Sequence, residues 1–122
     1  MANIVFDPTM QGLADAMTLH QRRHEVLASN LANVETPGFK AQELDFKSAL
    51  QDAFDTGRLE DDPNRKPSLV EDATAPVRAD GNSVDLDLQM AKLATNGGRY
   101  VALAKILQLR MALLRTAIEG TR

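Results

Sequence analysis

Two stretches near the ends of the chain repeat at alternating steps of three and four residues, the spacing that most restricts the possible folds. In residues 9–34 the repeat positions are Met10, Leu13, Met17, His20, His24, Leu27, Leu31 and Val34. In residues 83–119 they are Leu86, Met90, Leu93, Gly97, Tyr100, Ala104, Leu107, Met111, Leu114 and Ile118. These are heptad steps, so each stretch is predicted to form one long helix of the coiled-coil type.

Residues at the ends of both stretches support this prediction. Asp7 can accept bonds from the free N–H groups of a helix start, and Pro8 fits the first helical position. Pro37 ends the first stretch, because the residue before a proline is pushed out of the helical region. Asn82 or Ser83 is predicted to cap the second helix.

Gly97 and Gly98 are the weak point of the last helix. Each glycine costs a helix about 1 kcal/mol relative to alanine. We therefore expect either a close approach of another helix or a bend at this position.

The middle of the chain differs in kind. Residues 45–55 have the apolar spacing of a short amphipathic helix. Residues 56–82 contain three of the five prolines and only four large aliphatic side chains. Such a segment buries too little apolar surface to offset its ordering entropy. It is predicted to be an irregular loop that a partner orders.

Composition agrees with a helical protein and excludes several classes of function. The chain has 17 Ala and 16 Leu but only 4% aromatic residues, which disfavours a β-sandwich or barrel. It has no cysteine, which excludes disulfide scaffolds, Cys-ligated zinc, iron–sulfur clusters and thiol nucleophiles. A net charge of −3 argues against a general nucleic-acid binder.

The predicted fold is all-α, with the long terminal helices packed as a coiled-coil-like hairpin. One structural domain is expected. It comprises an N-terminal helix in residues 1–36, a connector with a short helix and an irregular loop in residues 37–82, and a long C-terminal helix in residues 83–122. Each long helix has a second apolar line beside its heptad positions: Ala16, Leu19 and Val26 in the first, and Leu103, Ile106 and Leu113 in the last. A two-helix hairpin buries one line of each helix, and an exposed apolar stripe usually marks an interface. The pattern thus predicts assembly into a larger helical structure.

Candidate chemical sites are few. His20 and His24 are four residues apart and could hold a metal ion, but no zincin pattern surrounds them. The simpler interpretation is two polar interruptions that set helix register. Residues 80–85 resemble a calcium loop but place Val84 at a ligand position. We therefore predict no enzyme, no cofactor and no metal site, with a two-histidine metal protein as the alternative.

Residues 27–40 read Leu-Ala-Ser-Asn-Leu-Ala-Asn-Val-Glu-Thr-Pro-Gly-Phe-Lys. Asn30 and Asn33 are poor helix formers, so their amides are expected to bond groups outside the helix. Residues 29–39 closely resemble the N-terminal signature of bacterial flagellar rod and hook proteins. The flanking residues 19–28 and 39–46, with 80–86 near the other end, resemble the B-type proximal rod subunits of that family.

This resemblance implies a structural subunit of the proximal rod of the flagellar basal body, the periplasm-spanning drive shaft. Its terminal helices would pair into a tube with other copies of itself and other proximal rod proteins, next to the membrane ring and export gate. It implies no nucleic acid and no small-molecule substrate. Family members leave the cytoplasm unfolded through the flagellar type III export apparatus, and residues 1–7 lack the features of a cleavable signal peptide.

Twelve residues are predicted to form the turn and the subunit contacts. The signature indicates Asn30, Asn33, Thr36, Pro37, Gly38 and Phe39, and the heptad positions indicate Leu27, Leu31, Tyr100, Leu107, Leu114 and Ile118. The alternative function is a soluble cytoplasmic coiled-coil adaptor or export chaperone, and location in the cell distinguishes the two.

Overall fold

A computed structural model describes residues 8–56 and 68–120. The described elements are α1 (Pro8–Ala32), β1 (Gln42–Leu44), α2 (Phe46–Thr56), β2 (Leu69–Glu71) and α3 (Leu86–Glu119). The predicted all-α fold is confirmed in its two long terminal helices and its short middle helix. The small antiparallel sheet, in which Gln42 faces Glu71, was not predicted.

The first helix begins where the sequence indicates and ends slightly earlier. Pro8 is its first residue, whereas the expected cap, Asp7, lies outside the described residues. The helix ends at Ala32, two residues before the predicted end at residue 34. A turn follows, in which Thr36 N donates to Asn33 O at 3.0 Å and Gly38 has a φ of 76°.

The last helix begins later than predicted because a different residue caps it. The Asp85 carboxylate accepts a bond from Leu88 N at 3.0 Å, so the prediction of a cap at Asn82 or Ser83 was wrong. The helix continues without a break through Gly97 and Gly98, and ends before Gly120. A Cβ added at either Gly97 or Gly98 would meet nothing within 4 Å. The expected close helix approach at these glycines is therefore absent from the described structure.

The terminal helices form an antiparallel hairpin. Asn30, near the end of α1, contacts Gln89 near the start of α3, and His20 contacts Asn96 further along. The lengths differ, since α1 has 25 residues and α3 has 34. At 1.5 Å per residue, α3 therefore continues roughly 13 Å beyond the end of its partner.

The second helix packs across the first. The buried cluster comprises Leu19, Leu44, Ala49 and Ala53, with Phe46 and Leu50 against it. Ala16 is also buried. The second apolar line of α1 is thus largely covered within the chain. The expectation that it would stay exposed for a partner was wrong for Ala16 and Leu19, because both are buried and α2 packs on this side of α1.

Part of the middle segment is ordered by the chain itself. Asp45 N donates to Ser68 O at 2.9 Å, and Asp72 N donates to Ala41 O at 2.8 Å, so both ends of β2 are tied to the segment around β1. The predicted irregular structure is confirmed for residues 72–82, which form neither helix nor strand, but the expectation that a partner must order the segment was wrong for residues 68–82. Residues 57–67 of the predicted loop lie outside the described residues.

Candidate assembly site

The two sequence motifs meet where the hairpin closes. Gly38 N donates to Asp80 O at 2.9 Å, and Ser83 N donates to Phe39 O at 3.0 Å. The Ser83 hydroxyl accepts from Ala41 N at 2.8 Å. We call the segments 33–41 and 80–84 the motif junction. The junction shows that the signature residues are held in place by the second motif, more than 40 residues away.

Asn82 is the centre of the motif junction. Its side chain is fully buried. The amide nitrogen donates to Thr36 O at 2.7 Å and Asn33 O at 2.8 Å, and the amide oxygen accepts from Val84 N at 2.7 Å. Both carbonyls belong to the turn that follows α1. Asn82 therefore fixes this turn and simultaneously shapes the entry to α3.

Two glycines make the close approach at the junction possible. Gly38 and Gly81 have φ values of 76° and 83°, in the left-handed region that favours glycine. A Cβ on Gly81 would lie 3.3 Å from the Gly38 Cα atom. The two chain segments therefore touch backbone to backbone.

Asn30 links three elements. Its amide nitrogen donates to Gln42 O at 2.7 Å and to Gln89 Oε1 at 3.1 Å, and its oxygen accepts from Gln42 N at 2.9 Å. The expectation that this amide bonds outside the helix is confirmed. Asn33 lies just after α1 and meets the expectation only in part. Its amide nitrogen donates back to Ser29 O of the helix at 2.8 Å, whereas its amide oxygen accepts from the Thr36 hydroxyl in the turn at 3.1 Å.

His20 is joined to α3 by a reciprocal pair of bonds. Asn96 Nδ2 donates to His20 O at 2.7 Å, so the Asn96 amide oxygen faces the imidazole. His20 Nδ1 lies 2.8 Å from that oxygen and must carry the proton. The Phe46 ring lies 4.5 Å from the imidazole, centroid to centroid. Within residues 8–56 and 68–120, no group of three or more His, Asp or Glu side chains is arranged to hold a metal ion.

A charge network ties the sheet to both long helices. Arg23 donates to both Glu43 oxygens, at 2.9 and 3.1 Å, and Lys92 Nζ lies 3.3 Å from Glu43 and 2.6 Å from Asp72. Burial raises the pKa of Glu43, but the bond and charge of Arg23, together with the Leu44 N–H and the charge of Lys92, outweigh it and the pKa is lowered. Burial likewise raises the pKa of Asp72, and the bonds from Lys92 and Thr74, together with the charge of Lys92, lower it overall.

The surface of α3 is unusual because its buried residues are polar and its large apolar residues are exposed. Gln89 and Asn96 are its buried residues. From residue 97 to residue 120 no side chain is buried. We call the following residues the exposed apolar surface: Leu86, Met90, Tyr100, Val101, Ile106, Leu109, Met111, Leu113 and Ile118. None of the described helices is long and apolar enough to span a membrane.

The twelve predicted contact residues fall into three environments. Leu27 and Asn30 are buried inside this chain and hold its fold together. Thr36, Pro37, Gly38, Tyr100 and Ile118 are exposed, and Leu31, Asn33, Phe39, Leu107 and Leu114 are half-buried. The turn residues lie at the closed end of the hairpin, whereas Ile118 lies at the opposite end of α3, so the twelve do not form one site.

Sequence reasoning missed the buried amides Asn82, Gln89 and Asn96. A signal existed for Asn96, because it is a poor helix former inside a long apolar repeat, as Asn30 is. No comparable signal marks Gln89, since glutamine is a good helix former and does not stand out in a helical segment.

Known proteins resemble this chain over most of its length. The family model described as flagella basal body rod protein matches residues 10–40. The flagellar basal body rod protein FlgB of Bacillus subtilis is 28% identical over 127 residues, 95% of this chain and 97% of the relative. FlgB of Proteus mirabilis is 32% identical over 72% of this chain and 77% of its own. FlgB of Cereibacter sphaeroides is 32% identical over 88% of this chain and 91% of its own. The chain therefore belongs to the FlgB family of flagellar basal body rod proteins and is a structural subunit of the rod.

Proposed function

We propose that the subunit enters the rod through the exposed apolar surface of α3, which other copies of this chain and other proximal rod proteins cover. The observation that carries this proposal is the absence of any buried side chain between residues 97 and 120. Ile106, Leu109 and Leu113 are each at least half exposed there. A helix that is apolar over most of its circumference is normally buried.

Magnitudes favour several neighbours for each subunit. Full burial of a large aliphatic side chain contributes roughly 1.5–3 kcal/mol. A contact that covers four such side chains therefore contributes at most roughly 6–12 kcal/mol. Association itself costs roughly 4–15 kcal/mol. One pairwise contact would therefore be weak, whereas a tube in which every helix touches several others would be stable.

The exposed turn is proposed as a second contact. Thr36, Pro37 and Gly38 are exposed at the closed end of the hairpin. The motif junction fixes their backbone, because Asn82 Nδ2 donates to Thr36 O and Gly38 N donates to Asp80 O. Because the projecting part of α3 lies at the opposite end, contacts at both ends would stack subunits along the rod axis.

We further propose a position at the base of the rod, beside the membrane ring and export gate, after type III export of the unfolded chain. The resemblance to the B-type subunits supports the position. The absence of cysteine supports the export route, because no disulfide has to be reduced before the chain is unfolded.

The test replaces Leu109 or Leu113 by aspartate in the native host. Both side chains are 62% exposed, so the isolated variants should keep the wild-type circular dichroism spectrum. Incorporation into purified basal bodies, measured by immunoblot, should fall at least tenfold, because a neighbour would bury an unpaired charge. Gln108→Glu, which adds a charge to the same helix at an exposed polar position, is the matched control.

Normal incorporation of both aspartate variants would contradict the proposed interface. Fractionation supplies the other comparison: wild-type protein that stays in the cytoplasm and never co-purifies with basal bodies would favour the adaptor or chaperone alternative.

A further inference from the structure

Two buried pairs of polar side chains join α1 to the first part of α3. His20 pairs with Asn96, and Asn30 pairs with Gln89. We call these two pairs the polar ladder. All four side chains are at most 5% exposed. Gln89 and Asn96 are seven residues apart, about two helical turns, so they project from the same face of α3.

The polar ladder is a poor source of stability. Among the described residues, the buried Gln89 Nε2 has no hydrogen-bond acceptor. A buried donor without a partner is destabilising, and apolar side chains of similar volume at such positions often stabilise a protein. Apolar residues are available on this helix, yet Met90 is 56% exposed and Val101 is 51% exposed.

The ladder does oppose one specific rearrangement. If α3 rotated by about 100°, or one residue, Met90 would replace Gln89 on the face toward α1. That rotation would bury more apolar surface in the single chain. It would also remove Asn96 from His20, leaving the buried Nδ1–H of His20 without its acceptor and the His20 carbonyl with only its bond inside α1. The ladder therefore selects one rotation and one height of α3 on α1.

We infer that the polar ladder is a register device that keeps the exposed apolar surface of α3 available to a neighbouring subunit. His20, Asn30, Gln89 and Asn96 are positioning residues in this role. The inference rests on the proposed interface. It adds that the polar ladder keeps this interface facing away from α1. Polar residues within an apolar seam set register in coiled coils by the same physics.

The test compares register, stability and assembly in one variant. His20→Leu, Gln89→Met and Asn96→Leu together remove the ladder, while Asn30 keeps its two bonds to Gln42. Gln51→Met on the exposed face of α2 is the matched control. Spin labels at Ser29→Cys and Gln108→Cys report the height of α3, because both positions are exposed and the chain has no other cysteine.

The full-length wild type and the control should each give one narrow distance distribution. The ladder variant should give a broadened distribution, or one shifted by about 5 Å, one helical turn. Its thermal midpoint should equal or exceed that of the wild type, while its incorporation into basal bodies falls at least tenfold. Gln89→Met alone, which leaves the His20–Asn96 pair intact, should keep both the wild-type distances and assembly.

Three results would overturn the inference. They are an unchanged distance distribution in the ladder variant, a changed distribution with normal assembly, and a loss of thermal stability that parallels the loss of assembly. Failure of the proposed interface itself is seen separately, as normal incorporation of Leu109→Asp and Leu113→Asp.

Discussion

The Asn82 side-chain amide donates to the Thr36 carbonyl at 2.7 Å, although 46 residues separate the two in the chain. This bond joins the signature after α1 to the motif before α3. Both motifs by which the family is recognised are therefore parts of one structural unit. The buried members of that unit hold the fold, whereas residues 35–38 and Asp80 are exposed.

Replacing Asn82 by alanine should unfold the closed end of the hairpin first. The variant loses its bonds to Asn33 and Thr36 and leaves Val84 N without its acceptor. We expect a loss of roughly 2–3 kcal/mol in the free energy of unfolding, measured by urea titration. Asn33→Ala is the control. Its side chain makes two bonds, to Ser29 O and from the Thr36 hydroxyl, and both are exposed, so the loss should stay below about 1 kcal/mol. Equal losses in the two variants would contradict the role of Asn82 as the centre of the motif junction.

Alanine substitutions at glycines should have opposite effects in the junction and in α3. Gly81→Ala should destabilise by more than about 1 kcal/mol, because it adds a contact with Gly38 to an unfavourable positive φ. Gly38→Ala meets no atom within 4 Å and should cost only the strain of its φ. Gly98→Ala should stabilise the helix by about 1 kcal/mol, since the added methyl meets open space. Thermal melts followed by circular dichroism measure all three, and destabilisation by Gly98→Ala would contradict the open helix face.

The elements that local pattern controls were predictable. Pro8 is the first residue of α1, whereas Pro37 lies beyond the end of that helix at Ala32. The heptad spacing identified α3 as one helix although Gly97 and Gly98 lie within it. Caps were predicted less well, because Asn82, Ser83 and Asp85 are all competent caps and only long-range bonds decide between them. The Asn82 and Ser83 side chains form hydrogen bonds with segments 33–36 and 39–41, so Asp85 is the residue that caps α3.

Which side of α3 faces inward was not predictable from the sequence. Hydrophobicity places Leu86 and Met90 in the seam, yet both are about half exposed while Gln89 between them is buried. The buried amides satisfy one another only in the assembled hairpin, so no single helix reveals them. The cover on Ala16 and Leu19 was missed for a related reason, since the direction in which α2 returns depends on β1 and on the residues around it.

Charge substitutions at two leucines should separate folding from assembly. Leu27 is fully buried within the chain, so Leu27→Asp should cost at least about 4 kcal/mol and abolish the cooperative melt. Leu109→Asp should leave the melt within about 0.5 kcal/mol of wild type, because the side chain is mostly in solvent. A Leu27→Asp variant that folds normally would show that the apolar contact between the elements is not where the structure places it.

The charge network makes the closed end of the hairpin sensitive to acid. The pKa values of Glu43 and Asp72 are lowered from their ordinary values of 4.5 and 3.8, so the unfolded chain binds protons more readily than the folded one. The stability that they contribute is fully present above about pH 5 and is lost as the pH falls through their folded values. Urea midpoints measured from pH 7 to pH 3 should therefore decline in the wild type.

Lys92→Met isolates the network within that decline. At pH 7 the variant should lose roughly 1–3 kcal/mol, because the nearly buried Asp72 carboxylate loses its closest cation. The pKa of Asp72 then rises toward its ordinary value, so the variant should lose less stability than the wild type between pH 5 and pH 3. Arg115→Met removes an exposed pair with Glu119 and should change neither the midpoint nor its pH dependence by more than about 0.5 kcal/mol. If Lys92→Met and wild type lose stability in parallel on acidification, the acid sensitivity arises from carboxylates outside this network.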